Sequence, residues 1–385
     1  MAQMVDRSHV HAVPATGAAF LAADVGGTHA RIGLVSPRPD GRRPVTVLEY
    51  RRYACAEWPS LTAVLQDFVG QIGADHVTHC AVASAGYVLG DAIINDNLPW
   101  RVSIRDIRDS LGLASLTVVN DFEAVAYATQ FLGPADTHAV IETRAPRAEG
   151  PVLVMGPGTG LGSAVLLPGQ PHATVLATEA GQIALAPGNE REIEILRLLA
   201  REHAYVSFER ALSGPGLLNL YRAICALRGE AAVLAQPAEV SGAALERRDA
   251  AAMETLEVFC GLLGSFVGDL VLLYGARGGV FLAGGILPQI RELLLDGNFA
   301  RRFFNKGVMR PYLEQIAVRL MEHGQLGVVG AASLYMDSIV GRPASGLPDG
   351  KQQGNRVTAS HEPGASPDRH TATDGPNPAA ANHSL

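Results

Sequence analysis

A chain of 385 residues is long enough for about two domains, each able to bury its own core. The net charge is −7 at pH 7, and Lys and Arg cluster no further than pairs such as Arg42-Arg43 and Arg301-Arg302, which argues against an extended nucleic-acid surface and for small-molecule partners. Four scattered cysteines, Cys55, Cys80, Cys225 and Cys260, show no C-x-x-C spacing; they read as reduced core thiols of a cytoplasmic protein without a zinc site.

Residues 1–19 carry Arg7 as their one fixed positive side chain, and Pro14 and Asp24 interrupt the apolar run that follows, so they read as a flexible extension and not as a signal peptide. From Phe20 to Val35 two apolar runs flank Gly26-Gly27-Thr28, with Asp24 just ahead of the turn: a strand, a tight turn and a second strand. Such a turn lets backbone N–H groups approach a phosphate, Thr28 adds a hydroxyl, and Asp24 can hold a metal through water. An ordinary β-hairpin accounts for the same residues.

Val45 to Tyr50 predicts a third strand, and Ser60 starts a helix on Leu61, Val64, Leu65, Phe68 and Ile72. Val77 to Ala83 is a fourth strand running into a turn-rich segment, and Ser103 with Asp106 opens a helix on Ile104, Ile107 and Leu111. Leu116 to Val119 is a short strand that ends in Asn120-Asp121 and passes directly into a helix from Phe122 to Ala128. An acid at that junction sits where ligands collect in open α/β sheets, and it is equally well placed to cap the helix.

The pattern then partly restarts. Val152 to Met155 is a strand, Gly156 to Gly162 a glycine-dense turn containing Gly158-Thr159-Gly160, and Ser163 to Leu167 a returning strand, an echo of the opening hairpin that suggests a duplicated α/β unit. The spacing matches neither a dinucleotide fingerprint nor a P-loop. Asn189 caps a helix on Ile193, Leu196 and Leu199, and a further helix covers Leu217 to Ala226. Thr255 to Tyr274 is the most membrane-like stretch, but Glu257 and Asp269 mark it as a helix buried in protein, with Gly261, Gly264 and Gly268 admitting a close neighbour. A buried strand before Gly284-Gly285, a last strand at Ile316 to Met321 and a helix from Leu326 to Ile339 follow. From Gly341 the composition is that of a disordered tail.

Taken in order, Asp24-Val-Gly-Gly-Thr28, Asn120-Asp121-Phe122, Gly158-Thr-Gly-Leu-Gly162, Leu212-Ser-Gly-Pro-Gly-Leu-Leu-Asn-Leu-Tyr-Arg222 and Gly279-Val-Phe-Leu-Ala-Gly-Gly-Ile286 resemble the bacterial ATP-dependent glucokinases. The resemblance runs from about Phe20 to Ile339. It implies an α/β, two-domain actin-like (ribonuclease H-like) hexokinase fold, with a small domain of residues 20–131 plus 320–340, a large domain of 132–319 and a substrate cleft between them.

By position, the resemblance makes Asp121 the general base for the 6-hydroxyl of glucose and gives Asn120, Glu179 and Glu209 the other hydroxyls. Asp24 would help place Mg²⁺; Gly26, Gly27, Thr28, Gly158, Thr159 and Gly160 would face the phosphates of ATP, and Gly284 and Gly285 would lie beside the adenosine. Three positions depart from the family pattern: His29 replaces Asn, Tyr87 replaces Pro, and Gln182 replaces a sugar-binding His. Glutamine donates and accepts but has a different reach and no titration, so Gln182 bears on hexose preference, or on a sugar-sensing protein with weak catalysis as the alternative. Homodimers are common among such enzymes and are the expectation here; neither nucleic acid nor membrane is.

Overall fold

The computed structural model describes residues 18–38, 43–74, 76–95, 98–146, 148–169, 172–321 and 324–340. The expected N-terminal extension up to residue 17, and the expected tail from 341, lie outside these residues.

The opening hairpin is β1 (Phe20–Val25) and β2 (His29–Pro37), followed by β3 (Val45–Ala54), α1 (Leu61–Ile72) and β4 (His79–Ser84). The strand expected to stop at Tyr50 runs on to Ala54, because its outer face alternates with charged residues that an edge strand tolerates. Ser60 caps α1 by accepting the Ala63 N–H at 3.1 Å. The turn-rich segment is a small antiparallel sheet of β5 (Tyr87–Leu89), β6 (Ala92–Ile94) and β7 (Val102–Ser103). Then come α2 (Ile104–Ser110), capped by Ser103, β8 (Ser115–Asn120) and α3 (Asp121–Ala128).

The second half begins with β9 (Thr137–Ile141), and its own hairpin is β10 (Val152–Pro157) and β11 (Leu161–Leu167), followed by β12 (Thr174–Thr178). Four helices follow: α4 (Glu190–Glu202), α5 (Gly214–Arg228), α6 (Pro237–Leu245) and α7 (Ala250–Tyr274). The chain closes with β13 (Val280–Leu282), α8 (Arg291–Leu295), α9 (Asn298–Phe303), α10 (Arg310–Leu313), β14 (Val318–Met321) and α11 (Leu326–Val340).

The two main sheets share one plan. The first has strand order β3-β2-β1-β4-β8 and the second β12-β11-β10-β13-β14-β9. In each, three antiparallel strands lead to two parallel ones: β1 pairs parallel with β4 and β4 with β8, as β10 does with β13 and β13 with β14. The echo between the hairpins is therefore an echo of whole sheets. β14, Leu320 and Met321 included, belongs to the second sheet.

Helices α1 and α2 cover one face of the first sheet, with Leu61, Leu65, Phe68 and Ile107 packed on Leu21, Ile32 and Val82. The opposite face, built on Phe20, Ala22 and Ala83, receives Val328, Ala331 and Tyr335 of α11 together with Ala124 of α3. The other side of α3, with Val125, Ala126 and Tyr127, packs on Val154, Ala164 and Phe281 of the second sheet. α3 is thus held between the two sheets, and its first residue, Asp121, lies at their junction. The largest core joins the far face of the second sheet to α4–α10.

Helix α7 is long and apolar enough to cross a membrane, and it is packed inside the protein as Glu257 and Asp269 suggested. Its glycine face lies against α9: a Cβ at Gly264 would collide with the Phe299 carbonyl, and one at Gly268 would crowd that of Phe303.

Candidate active site

Asp24 is the last residue but one of β1, which is buried along its whole length. Its Oδ2 receives Arg31 Nη1 at 3.2 Å across the hairpin, where the register places Asp24 opposite Arg31. No motif announces Arg31 beside the candidate site, although the pairing can be counted from the turn: the register Val25↔Ala30 fixes its neighbour Asp24↔Arg31. The N-terminus of α11 backs the acid so closely that a Cβ at Gly327 would collide with its carboxyl.

The turn after β1 is closed by Gly26 N–H on the His29 carbonyl at 3.0 Å, and Cys55 N–H reaches the Thr28 carbonyl at 2.9 Å. Thr28 is exposed at its tip. His29 Nε2 lies 2.8 Å from Arg52 Nη2 and therefore serves as acceptor. Burial, then the charges of Arg52 and Arg31, hold the His29 imidazole below its ordinary value and so neutral.

At the β8–α3 junction the capping role falls to Asn120, not Asp121. Asn120 Oδ1 accepts the N–H groups of Phe122 at 3.0 Å and Glu123 at 3.1 Å. Asp121 is the first helical residue, with Oδ1 on the Phe122 N–H at 2.8 Å. It keeps a window to solvent, yet burial pushes its carboxyl up to about 7; the Asp24 carboxylate adds to the shift and Glu179 contributes a little more, while backbone hydrogen bonds oppose it. An acid poised near neutrality suits proton abstraction.

The second hairpin approaches the same place. Gly162 of β11 lies under the Phe122 ring, where any Cβ would collide with the aromatic carbons. The preceding turn is closed by Gly158 N–H on the Gly160 carbonyl at 2.7 Å, and Gly214 N–H at the start of α5 donates to the Gly158 carbonyl at 2.8 Å. Thr159 stands exposed at the tip. Gly284, at φ +87°, presses on the Pro157 carbonyl, which places the double glycine beside the turn; Gly285 faces open space.

Glu209 binds the remaining residues together. Its Oε2 accepts the Leu161 N–H at 2.8 Å and its Oε1 accepts Gln182 Nε2 at 3.0 Å. Tyr205, also absent from the motif reading, donates its hydroxyl to the Gln182 carbonyl at 2.7 Å. Glu179, just before this segment, keeps an accessible side chain, but the protein packed around its carboxyl removes part of its solvation and, with the Glu209 charge, raises it. The carboxylates of Asp24, Asp121, Glu179 and Glu209 thus form a line of mutual influence across the junction. Gly27 contributes backbone to the opening turn.

Two sheets of one plan, each with a glycine turn leaving its central strand, and carboxylates gathered where the sheets meet, define the sugar kinases of the actin-like fold. The family model for Glucokinase matches residues 21–338. A glucokinase-like protein of Xylella fastidiosa (strain Temecula1) is 49% identical over 320 residues, covering 83% of this chain and 95% of that protein. The glucokinase of Chromobacterium violaceum is 41% identical over 322 residues, covering 84% and 90%. Among solved structures, glucokinase from an Antarctic psychrotroph superposes with a TM-score of 0.72 at 33% identity, covering 83% of this chain and 99% of that one. The chain belongs to the glucokinase family.

Proposed function

We propose that this chain transfers the γ-phosphate of ATP to the 6-hydroxyl of glucose, giving glucose 6-phosphate and ADP. The observation that carries the reading is Asp121, held at the junction of the two sheets with its carboxyl near neutrality. As the sugar oxygen attacks, its proton passes to the Asp121 carboxylate, the new O–P bond forms, and the bond from the γ-phosphorus to the bridging oxygen breaks with its electrons leaving on ADP. Positioning is the main service such a transfer needs.

Glu179, Glu209, Gln182 and the Asn120 amide would hold the other sugar hydroxyls, since carboxylates accept from vicinal hydroxyls. The N–H groups of Gly26 and Gly158 close their own turns, so Gly27, Thr28, Thr159 and Gly160 would present backbone N–H groups to phosphates, and Gly284-Gly285 would offer a flat backbone to the nucleoside. Among the described residues no three His, Cys, Asp or Glu side chains form a metal cage. Mg²⁺ does not need one: it keeps several waters and takes one or two carboxylates with substrate phosphates, which fits Asp24, whose Oδ2 alone is engaged by Arg31. There it would neutralise phosphate charge. We assign residues 20–131 with the C-terminal helix α11 to a small domain and 132–321, all of β14 included, to a large one, closing on the substrates, in a cytoplasmic homodimer.

A second reading keeps the kinase and changes the hexose, and it rests on Gln182 bonded to Glu209 where the family pattern has histidine. A coupled assay with ATP and a panel of hexoses tests both. Turnover on glucose that Asp121→Ala abolishes is expected; full activity in Asp121→Ala would sink the mechanism, and a better hexose than glucose would favour the second reading.

A further inference from the structure

Away from the carboxylate line, an open cavity of about 520 Å3 is lined by Gly188, Asn189, Arg301, Arg302, Phe304 and Arg310 among others. Neither Asp24, Asp121, Glu179 nor Glu209 borders it. Its three guanidinium groups are unequally compensated. Arg302 is buried and makes a bidentate pair with Glu192. The same carboxylate also accepts the Gly188 N–H at 2.7 Å and Asn189 Nδ2 at 2.9 Å, so Glu192 is saturated and 3% exposed. Arg310 donates to Glu314 at 2.8 Å while its guanidinium stands 5.9 Å from the Phe304 ring centroid. Among the described residues, Arg301 has only the neutral Asn298 amide oxygen, at 2.7 Å.

Three cations against two carboxylates leave one positive charge uncompensated at the cavity, and two of the guanidiniums, Arg301 and Arg310, are exposed to whatever enters. A Cβ at Gly188 would collide with Arg302 Nη2, so that wall is bare backbone. Guanidinium forks match phosphate oxygens, and Phe304 adds a flat apolar face. The volume suits a small molecule.

The cavity also touches the segment that carries the sugar residues. Gly188 and Asn189 end the stretch that begins with Glu179 and Gln182. That stretch is stitched to the one bearing Glu209: Ala184 bridges Ser207, Leu185 N–H donates to the Val206 carbonyl at 2.9 Å, and Phe208 N–H to the Ile183 carbonyl at 2.9 Å. A ligand that fixes residues 188–189 therefore acts on both sugar-binding positions.

We propose that this cavity is a second anion site, separate from the Asp121 cleft, which takes the phosphate group of a small phosphorylated metabolite or free inorganic phosphate and alters sugar affinity when occupied. The site rests on the arginines alone; the effect on sugar affinity rests on the kinase reading above.

Calorimetry on the full chain, with inorganic phosphate and with glucose 6-phosphate as separate probes, tests it. Phosphate binding should weaken about tenfold or more in Arg301→Gln/Arg310→Gln, with unchanged far-UV circular dichroism and basal kcat. The charge-matched control Arg197→Gln/Arg222→Gln, two exposed arginines that do not border the cavity, should bind as the wild type does. Tighter binding of glucose 6-phosphate than of phosphate, lost in the same variant, identifies an ester seated on Phe304; equal binding identifies free phosphate. The glucose KM should shift about fivefold with saturating phosphate in the wild type and not in the variant. Equal phosphate binding by wild type and variant, no binding at millimolar phosphate, or an equal loss in the control overturns the site, and an unmoved KM overturns the coupling. Because the binding arm needs no turnover, an inactive protein whose phosphate binding depends on Arg301 and Arg310 would overturn the kinase reading and leave the site standing.

Discussion

The side-chain amide of Gln182 donates to Glu209 Oε1 at 3.0 Å, while Oε2 of the same carboxylate accepts the Leu161 N–H at 2.8 Å. One carboxylate thereby ties the residue that replaces a family histidine to the strand leaving the second glycine turn. Exchanging that amide for an imidazole alters one hydrogen bond at the proposed sugar position. Gln182→His should shift the ratio of KM values between hexoses by about 2- to 10-fold, with kcat less affected, in steady-state kinetics. An unchanged ratio would remove Gln182 as the determinant of hexose preference.

Asp121 carries the strongest pH prediction. A base whose carboxyl titrates at about 7 must lose its proton to act, so kcat/KM should fall as pH drops through about 7. Asp121→Asn should cost about 10²- to 10⁴-fold in kcat. The stability sign is opposite. The folded value lies above the unfolded one, so the favourable contribution is complete below the unfolded carboxylate range and is lost as pH rises to about 7. Asp121→Asn should therefore raise the Tm of the ligand-free protein more at about pH 8 than at about pH 5.

The Asp24–Arg31 pair is nearly buried, with side chains 9% and 13% exposed. Arg31→Ala would leave a charge without its partner beside the α11 terminus. A loss of about 3 kcal/mol in urea unfolding is expected, and Arg31→Ala/Asp24→Asn should recover part of it. If the single variant unfolds like the wild type, the pair has no structural weight.

Gly162 offers a mechanical test of how the two sheets register. Gly162→Ala drives a methyl group into the Phe122 ring next to Asp121 and should lower kcat together with about 1–3 kcal/mol of stability. Phe122→Leu in the same chain should restore much of both, as read by turnover and thermal unfolding. No rescue by the smaller side chain would mean that the contact does not position Asp121.

Much of this organisation was legible locally. Asp24 with Gly26-Gly27-Thr28, the β8–α3 junction and the second glycine turn each announce themselves through apolar runs broken by a few special residues. The parts that escaped are those that join distant segments. The Glu209 contact to Leu161 spans 48 residues and leaves no periodic trace in either. β12 leaves no signal in the sequence because it is an edge strand with Leu176 46% exposed, so no inward–outward alternation marks it. α8, α9 and α10 are too short for their helical period to show. At Asp121 the residue type fitted both cap and base, and only the hydrogen bonds gave the cap to Asn120.

The glycine face of α7 has a consequence for synthesis. α9, which covers Gly264 and Gly268, begins at Asn298, so α7 emerges from the ribosome ahead of the backbone that closes over it. During that interval a helix apolar enough for a bilayer has no partner on its smallest-residue face. Chains that stop short of Asn298 would keep that face open permanently, which makes early termination in the last third of the gene a route to aggregation and chaperone capture in addition to loss of catalysis.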